Sequence, residues 1–310
     1  MRVICLEPSA RAPGLVESSA PQPQPGEGEL LIRVFAAGVT AAELEWYPTS
    51  HTRTGDARRG AVPGHEFSGV VAAVGRNVGS LELGREVYGM NDWFRDGALA
   101  EFCVAAFPDV APKPSRLTHE EAASVPISAL TAWQGLIDRA KLQPGERVLV
   151  HGGAGGVGCF AVQIARWLGA RVIATASRAN EAFLRELGAE QVIDYHETRF
   201  EEHAADLDVV FDTVGGDVLE RSWSVLKPGG RMVTIASGAE SGADTRTKGA
   251  FFIVEPNQKQ LSLVADMLES GRLRSVVDTV VPFDRAAEAF TGRVRTRHRG
   301  KVVVSIADSK

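Results

Sequence analysis

The stretch Arg147-Val-Leu-Val-His-Gly-Gly-Ala-Gly-Gly-Val-Gly-Cys-Phe160 decides the fold of this chain. Residues 147–150 are a short apolar run of strand character. Beyond the glycines, Val157, Phe160, Ala161, Ile164, Ala165 and Leu168 recur at spacings of three and four, which predicts a helix over residues 157–168 with one buried face. Between the two lies Gly153-Ala154-Gly155-Gly156-Val157-Gly158, a fit to G-x-G-x-x-G. That pattern is weak alone. Placed directly after a strand and at the opening of an amphipathic helix, it points to a dinucleotide-binding loop rather than to a merely tight turn. The chemistry asks for a backbone without Cβ atoms where a pyrophosphate approaches, and for helix N–H groups with the positive dipole end facing the phosphates.

Downstream the cycle repeats. Residues 171–175, 191–193, 209–212 and 232–235 read as strands, and Glu181–Leu187, 218–226 and Gln258–Glu269 as helices. Such alternation predicts a parallel sheet covered on both faces, a doubly wound Rossmann-type α/β domain. Residues 236–248 read as its most loop-like stretch. Upstream, residues 1 to about 117 hold short apolar runs at 30–34, 69–74 and 101–104, punctuated by prolines at 21, 23, 25, 63, 108, 112 and 114. That is the pattern of an irregular β-barrel. Residues 301–306 read as one further strand.

Composition narrows the function. The chain has 310 residues, a net charge of −5 and three cysteines. A mild acidic excess argues against nucleic acid as a partner. No apolar run reaches the roughly 18–20 residues that span a bilayer. Glu7 falls where a signal peptide would still be apolar, so a cytoplasmic location is expected. Cys5, Cys103 and Cys159 are too far apart for a disulfide framework or a Cys-x-x-Cys metal site. Of the 32 glycines, the informative ones are those of the loop.

The second strand of a NAD site usually ends in an acid that binds the adenosine ribose hydroxyls. Here no acidic residue occurs from Cys159 through Asn180, and the strand ends in Ser177-Arg178. A hydroxyl and a guanidinium suit a 2′-phosphate, so NADPH is the expected cofactor. The alternative is that Arg178 is an ordinary solvated residue at a helix start.

Several segments then resemble one family. They are Gly64-His-Glu-Phe-Ser-Gly-Val-Val-Ala-Ala-Val-Gly75, Gly97-Ala-Leu-Ala-Glu-Phe102, Ala122-Ala-Ser-Val-Pro126, Leu130-Thr-Ala-Trp133, the glycine loop, Gly188-Ala-Glu-Gln-Val-Ile-Asp-Tyr195, Asp212-Thr-Val-Gly-Gly216 and Gly300-Lys-Val-Val303. Together they resemble medium-chain dehydrogenase/reductases of the zinc-independent NADPH:quinone oxidoreductase type. The resemblance implies a GroES-like β-barrel domain from residues 1–117 and 278–310, and an NADP-binding Rossmann domain from 118–277. It implies that Ala154, Gly155, Gly156 and Val157 wrap the pyrophosphate, and that Ser177, Arg178 and Tyr195 surround the 2′-phosphate and adenosine. Thr131 is implied at the nicotinamide ribose, Thr213 and Val214 along the ribose, Phe252 and Val254 at the carboxamide edge, and Lys301 near the adenosine phosphate. For Tyr195 and Phe252 core packing is the alternative, and for Lys301 a solvated strand end.

Zinc members of the family carry ligands at positions that match Thr40, His65 and about Ile127. Thr40 and Ile127 supply no thiolate, and a catalytic zinc needs three protein ligands, so no metal is expected and His65 reads as structural. Without a Lewis acid, acceptors that spread negative charge by conjugation are the expected substrates, a quinone or an enone. Where the quinone reductases carry Asn-x-x-Asp, this chain has Thr40-Ala-Ala-Glu43, followed by Leu44-Glu-Trp46-Tyr47. Thr40 and Tyr47 are the candidate catalytic residues, each with a hydroxyl able to bond a reduced oxygen. For Tyr47, barrel closure is the alternative. An enoyl or alkenal reductase tailoring a secondary metabolite, or a non-catalytic NADPH-binding protein, are the competing functions. The apolar stretch 251–254 suggests an edge-to-edge homodimer.

Overall fold

The alternation after residue 140 becomes a five-stranded parallel sheet in the order Gln191–Asp194, Arg171–Ala176, Arg147–Val150, Leu207–Asp212, Leu226–Thr234. Numbered along the chain this is 3-2-1-4-5, so the order reverses between Arg147–Val150 and Leu207–Asp212, the place where such sheets bind ligands. The computed structural model describes residues 1–7, 14–79, 81–241 and 244–307. The chain forms two units, Met1–Ile127 with Glu255–Arg297 and Lys301–Lys310, and Ser128–Val254 with residues 298–300.

In the second unit the helix after the glycine loop is Gly156–Trp167. Phe160, Ala161, Ile164 and Ala165 are buried as the spacing predicts, but so are Gly158, Cys159, Val162 and Gln163. The helix is therefore enclosed over residues 158–165 rather than along one face, and Val157 and Leu168 are only half-buried. Each large apolar side chain among them contributes about 1.5–3 kcal/mol on burial. Leu149, Ile173, Val210, Phe200 and Leu219 build the core under the sheet. The helix expected over 218–226 is Gly216–Ser222 with a 3₁₀ turn after it, and the last strand starts earlier than expected, at Leu226. The stretch expected as loop holds a 3₁₀ turn, Ala239–Ser241, and a helix, Thr245–Ala250, whose first turn is capped by the Asp244 side chain accepting from the Arg246 N–H. Residues 242–243 of that stretch lie outside the described residues. Residues 251–254 do not form a strand; Phe251 alone makes a bridge, to Thr234.

The first unit is a seven-stranded sheet in which Val277–Pro282, Lys301–Ser305, Glu29–Gly38, Glu66–Val74, Glu86–Met90 and Val110–Pro112 follow one another, with Phe102–Ala106 also on Glu29–Gly38. All these pairings are antiparallel except Val277–Pro282 with Lys301–Ser305. Leu30, Ile32, Val34, Phe67, Val71, Val87 and Val304 form its core. The C-terminal strand therefore completes the N-terminal sheet, as expected. Helix Gln258–Glu269 belongs to the first unit, as do residues 118–127, while residues 298–300 belong to the second. The Gln258 side chain donates to Phe107 O, the Tyr88 hydroxyl donates to Leu261 O at 2.6 Å, and the Arg116 guanidinium donates to Glu269 O.

Candidate functional site

The predicted residues fall into two groups, one in each unit. In the second unit most of them gather at the C-terminal ends of the parallel strands, while Thr131 is on helix Pro126–Trp133. Ala154 is buried, Gly155 is exposed at the N-cap of helix Gly156–Trp167, and Gly156 and Val157 are half-buried in its first turn. Gly158 packs the helix onto the loop so closely that a Cβ there would collide with Gly152 O. At Gly155 a Cβ would meet only Gly152 O, at 3.4 Å. The loop is braced from both sides. Gly300 N donates to Ala154 O at 2.8 Å, and Gly153 N donates to Thr175 O at 3.0 Å.

His151, just before the loop, is buried. Its Nε2 meets Ser222 Oγ at 2.9 Å and its Nδ1 meets Thr175 Oγ1 at 3.2 Å. The Ser222 hydroxyl already donates to Val218 O, so Nε2 carries the imidazole proton and Nδ1 accepts from Thr175. Burial pushes the His151 pKa down to about 4. The ring is neutral at pH 7, and Thr175 Oγ1 in turn accepts the Gly152 N–H.

Ser177 and Arg178 follow strand Arg171–Ala176, and Tyr195 follows the neighbouring strand, with its N–H toward Ala176 O. The three are therefore adjacent, as implied. Tertiary structure adds two acids that the second strand lacks. Asp194 accepts the Arg178 N–H at 3.1 Å, and Glu197 accepts from the Arg178 guanidinium at 2.9 Å. It also adds a cation missed in the sequence, Arg299, whose Nε donates to Asn180 Oδ1 at 2.5 Å and whose Nη2 donates to Ala179 O at 2.6 Å. Tyr195 is exposed and tilted against His196.

Thr213 and Val214 lie just beyond strand Leu207–Asp212. The buried Asp212 carboxylate holds their turn by accepting the N–H groups of Val214 and Gly215 and the Thr234 hydroxyl. The Thr213 hydroxyl donates to His151 O, and Val214 is exposed. Thr131 is buried on helix Pro126–Trp133. Phe252 and Val254 are buried too. The Phe252 N–H donates to Thr234 O and its ring lies under the Arg139 guanidinium.

In the first unit Thr40 is the N-cap residue of the 3₁₀ turn Ala41–Glu45, and its hydroxyl accepts from Lys301 Nζ at 2.9 Å. Lys301, expected beside the adenosine phosphate, is engaged by Thr40 and by the buried Glu66. Tyr47 is exposed and stacks on His51 at 4.4 Å, while Trp46 meets Trp93 edge-on at 4.7 Å. Barrel closure does not account for Tyr47, since its ring is on the surface.

His65 is fully enclosed. Nε2 faces Arg95 O at 3.0 Å, and Nδ1 is bonded to Oε2 of the buried Glu43, whose other oxygen accepts the Gly64 N–H at 2.8 Å. A carbonyl only accepts, so Nε2 carries a proton. Neither nitrogen is left to bind a metal.

Two family models match: an alcohol dehydrogenase GroES-like domain over residues 26–115, and a zinc-binding dehydrogenase over residues 187–304. The chain is 35% identical over 306 residues to a probable zinc-binding oxidoreductase, mitochondrial, of Arthroderma benhamiae, covering 92% of this chain and 91% of the relative. The chain belongs to the medium-chain dehydrogenase/reductase superfamily. It is also 35% identical to a 2-methylene-furan-3-one reductase of Solanum lycopersicum, covering 93% of this chain and 74% of that one. Among solved structures, the quinone oxidoreductase from Coxiella burnetii superposes with a TM-score of 0.87 at 29% identity, covering 99% of both chains. These relatives place the chain in a superfamily of oxidoreductases.

Two of the matches are named for zinc, and the donor set here does not fit that ion. His65 has both nitrogens engaged, Glu66 is paired with Lys301 and the Ile127 N–H, and the Thr40 hydroxyl accepts from Lys301. Among the described residues no group of three or more His, Cys, Asp or Glu is placed to hold a metal. Among them, too, no helix is long and apolar enough to cross a membrane.

Proposed function

We propose that this chain is a zinc-independent, NADPH-dependent reductase of quinones or other conjugated carbonyls. The observation that carries the reading is the glycine loop at the strand-order reversal, with two guanidinium groups, Arg178 and Arg299, at the turn that ends the second strand. The loop N–H groups and the helix N-terminus suit a pyrophosphate. Ser177, Arg178 and Tyr195 suit a phosphorylated ribose, and Arg299 reinforces them. The Arg178–Glu197 pair is exposed, and exposed pairs hold weakly, so a phosphate dianion competes with Glu197 for the guanidinium. Thr131, Thr213, Val214, Phe252 and Val254 line the path of the ribose and nicotinamide in this reading.

The bound cofactor supplies a hydride. The chain's own groups orient the acceptor and meet the charge that develops on its oxygen, with the Thr40 hydroxyl and the flat faces of Trp46 and Tyr47 as the candidates. A conjugated acceptor suits a donor set without a Lewis acid. Similarity to a furanone reductase favours enone reduction as the alternative to quinone reduction. A cytoplasmic homodimer completes the proposal.

Steady-state turnover of NADPH and NADH with a benzoquinone and with a conjugated enone tests it. NADPH oxidation with at least one acceptor is expected. Binding of NADPH without oxidation across the panel would identify a non-catalytic nucleotide-binding protein.

A further inference from the structure

Glu66 is fully buried on strand Glu66–Val74, and a buried carboxylate persists only where its oxygens are engaged. One oxygen accepts the Ile127 N–H at 2.9 Å, and the other meets the Lys301 ammonium at 2.5 Å. Strand Glu29–Gly38 makes room by ending on a glycine, because a Cβ at Gly38 would overlap the Glu66 carboxylate. Lys301 begins strand Lys301–Ser305 and is itself nine-tenths buried. Its Nζ also lies 2.9 Å from Thr40 Oγ1.

An ammonium has three protons and no lone pair, so in this contact Thr40 can only accept. The Thr40 hydroxyl proton is then left to point elsewhere, and no acceptor among the described residues takes it. We propose that Lys301, anchored by Glu66, is a positioning residue that orients the Thr40 hydroxyl as a hydrogen-bond donor to the oxygen of the conjugated acceptor. The inference rests on the reductase reading above. In that reaction a C–H bond of the reduced cofactor breaks as its hydride bonds the β-carbon of an enone or one oxygen of a quinone, and the displaced π-electron pair moves onto the remaining acceptor oxygen. One solvent proton, balanced by the positive charge the oxidised cofactor gains, gives the neutral product. The hydroxyl meets the oxygen as it becomes enolate- or phenolate-like, and the adjacent cation strengthens the donor.

A readout independent of turnover comes from Thr40→Cys. With EDTA present, the pH dependence of iodoacetamide labelling is followed by mass spectrometry of the peptide that contains position 40. A cation in contact lowers a thiol pKa, so the introduced thiol should ionise at least about one pH unit lower than in Thr40→Cys/Lys301→Met. Equal profiles would overturn the contact.

In turnover, Lys301→Met and Thr40→Val should each lower kcat by about 10- to 100-fold. Their combination should cost no more than the worse single change, while the KM for NADPH holds. Additive losses, or a raised cofactor KM with unchanged kcat, would return Lys301 to cofactor binding and sink the inference. Lys301→Met leaves Glu66 unpaired and threatens folding. Lys301→Met/Glu66→Gln removes both charges and should keep the kcat loss in a folded protein. A wild-type chain that oxidises no NADPH defeats the reductase reading, an outcome distinct from wild-type turnover without Lys301–Thr40 coupling.

Discussion

Glu43 and His65, both fully buried, are joined through Oε2 and Nδ1 across 22 positions of sequence. Glu43 also accepts the Gly64 N–H, so one carboxylate sets the backbone and the ring that immediately precede Glu66. Removing one member of a buried, hydrogen-bonded pair leaves the other unsatisfied, typically at a cost of about 1–3 kcal/mol. Glu43→Ala should lose that order of stability in urea unfolding, and Glu43→Gln less. Wild-type stability in Glu43→Ala would show that the pair does not hold this loop.

His151 predicts an acid-side loss of stability. Its folded pKa, about 4, lies below the ordinary 6.5. The unfolded chain therefore binds the proton more readily, and stability falls as pH drops from 6.5 toward 4. The full span is on the order of 3 kcal/mol. Urea midpoints measured across that range should flatten in His151→Gln, and an unchanged slope would exonerate His151.

Gly155 and Gly158 should separate binding from folding. Gly155→Ala meets only ordinary contact with Gly152 O, so its thermal unfolding should match wild type while NADPH affinity, read by fluorescence titration, falls at least about tenfold as the pyrophosphate loses its approach. Gly158→Ala drives a Cβ into backbone and should cost about 1–3 kcal/mol of stability. The reverse pattern would mean that the loop does not carry pyrophosphate.

Arg178→Ala and Arg299→Ala should each raise the KM for NADPH by about tenfold, the scale of one hydrogen bond to a charged group. The KM for NADH should stay within a factor of about two. Glu197→Gln, which frees the Arg178 guanidinium, should lower the KM for NADPH. Parallel effects on both cofactors would remove the 2′-phosphate from the assignment.

Capping and periodicity explain which elements could be read in advance. Helix Gly156–Trp167 and strand Arg147–Val150 are recognisable because large apolar residues recur at spacings of three and four in one and run continuously in the other, although burial in the helix is itself continuous over residues 158–165. Helix His119–Ala123 is too short for periodicity to mark, and its signal is instead the capping box of Thr118 with Glu121. Helix Gln258–Glu269 follows from its periodicity, whereas its place in the first unit depends on Gln258, Leu261 and Glu269 meeting residues 88–116.

The candidate site divides along the same line. The glycine loop, its strand and its helix are one contiguous stretch, so local turn chemistry and hydrophobic spacing determine them without reference to the rest of the chain. The placement of Arg178 against Glu197, of Arg299 against Asn180, and of Lys301 between Glu66 and Thr40 belongs to the tertiary structure. Charges on remote segments acquire partners only when strands register and water leaves. In the last case the partners are 261 residues apart, and no local pattern records their contact.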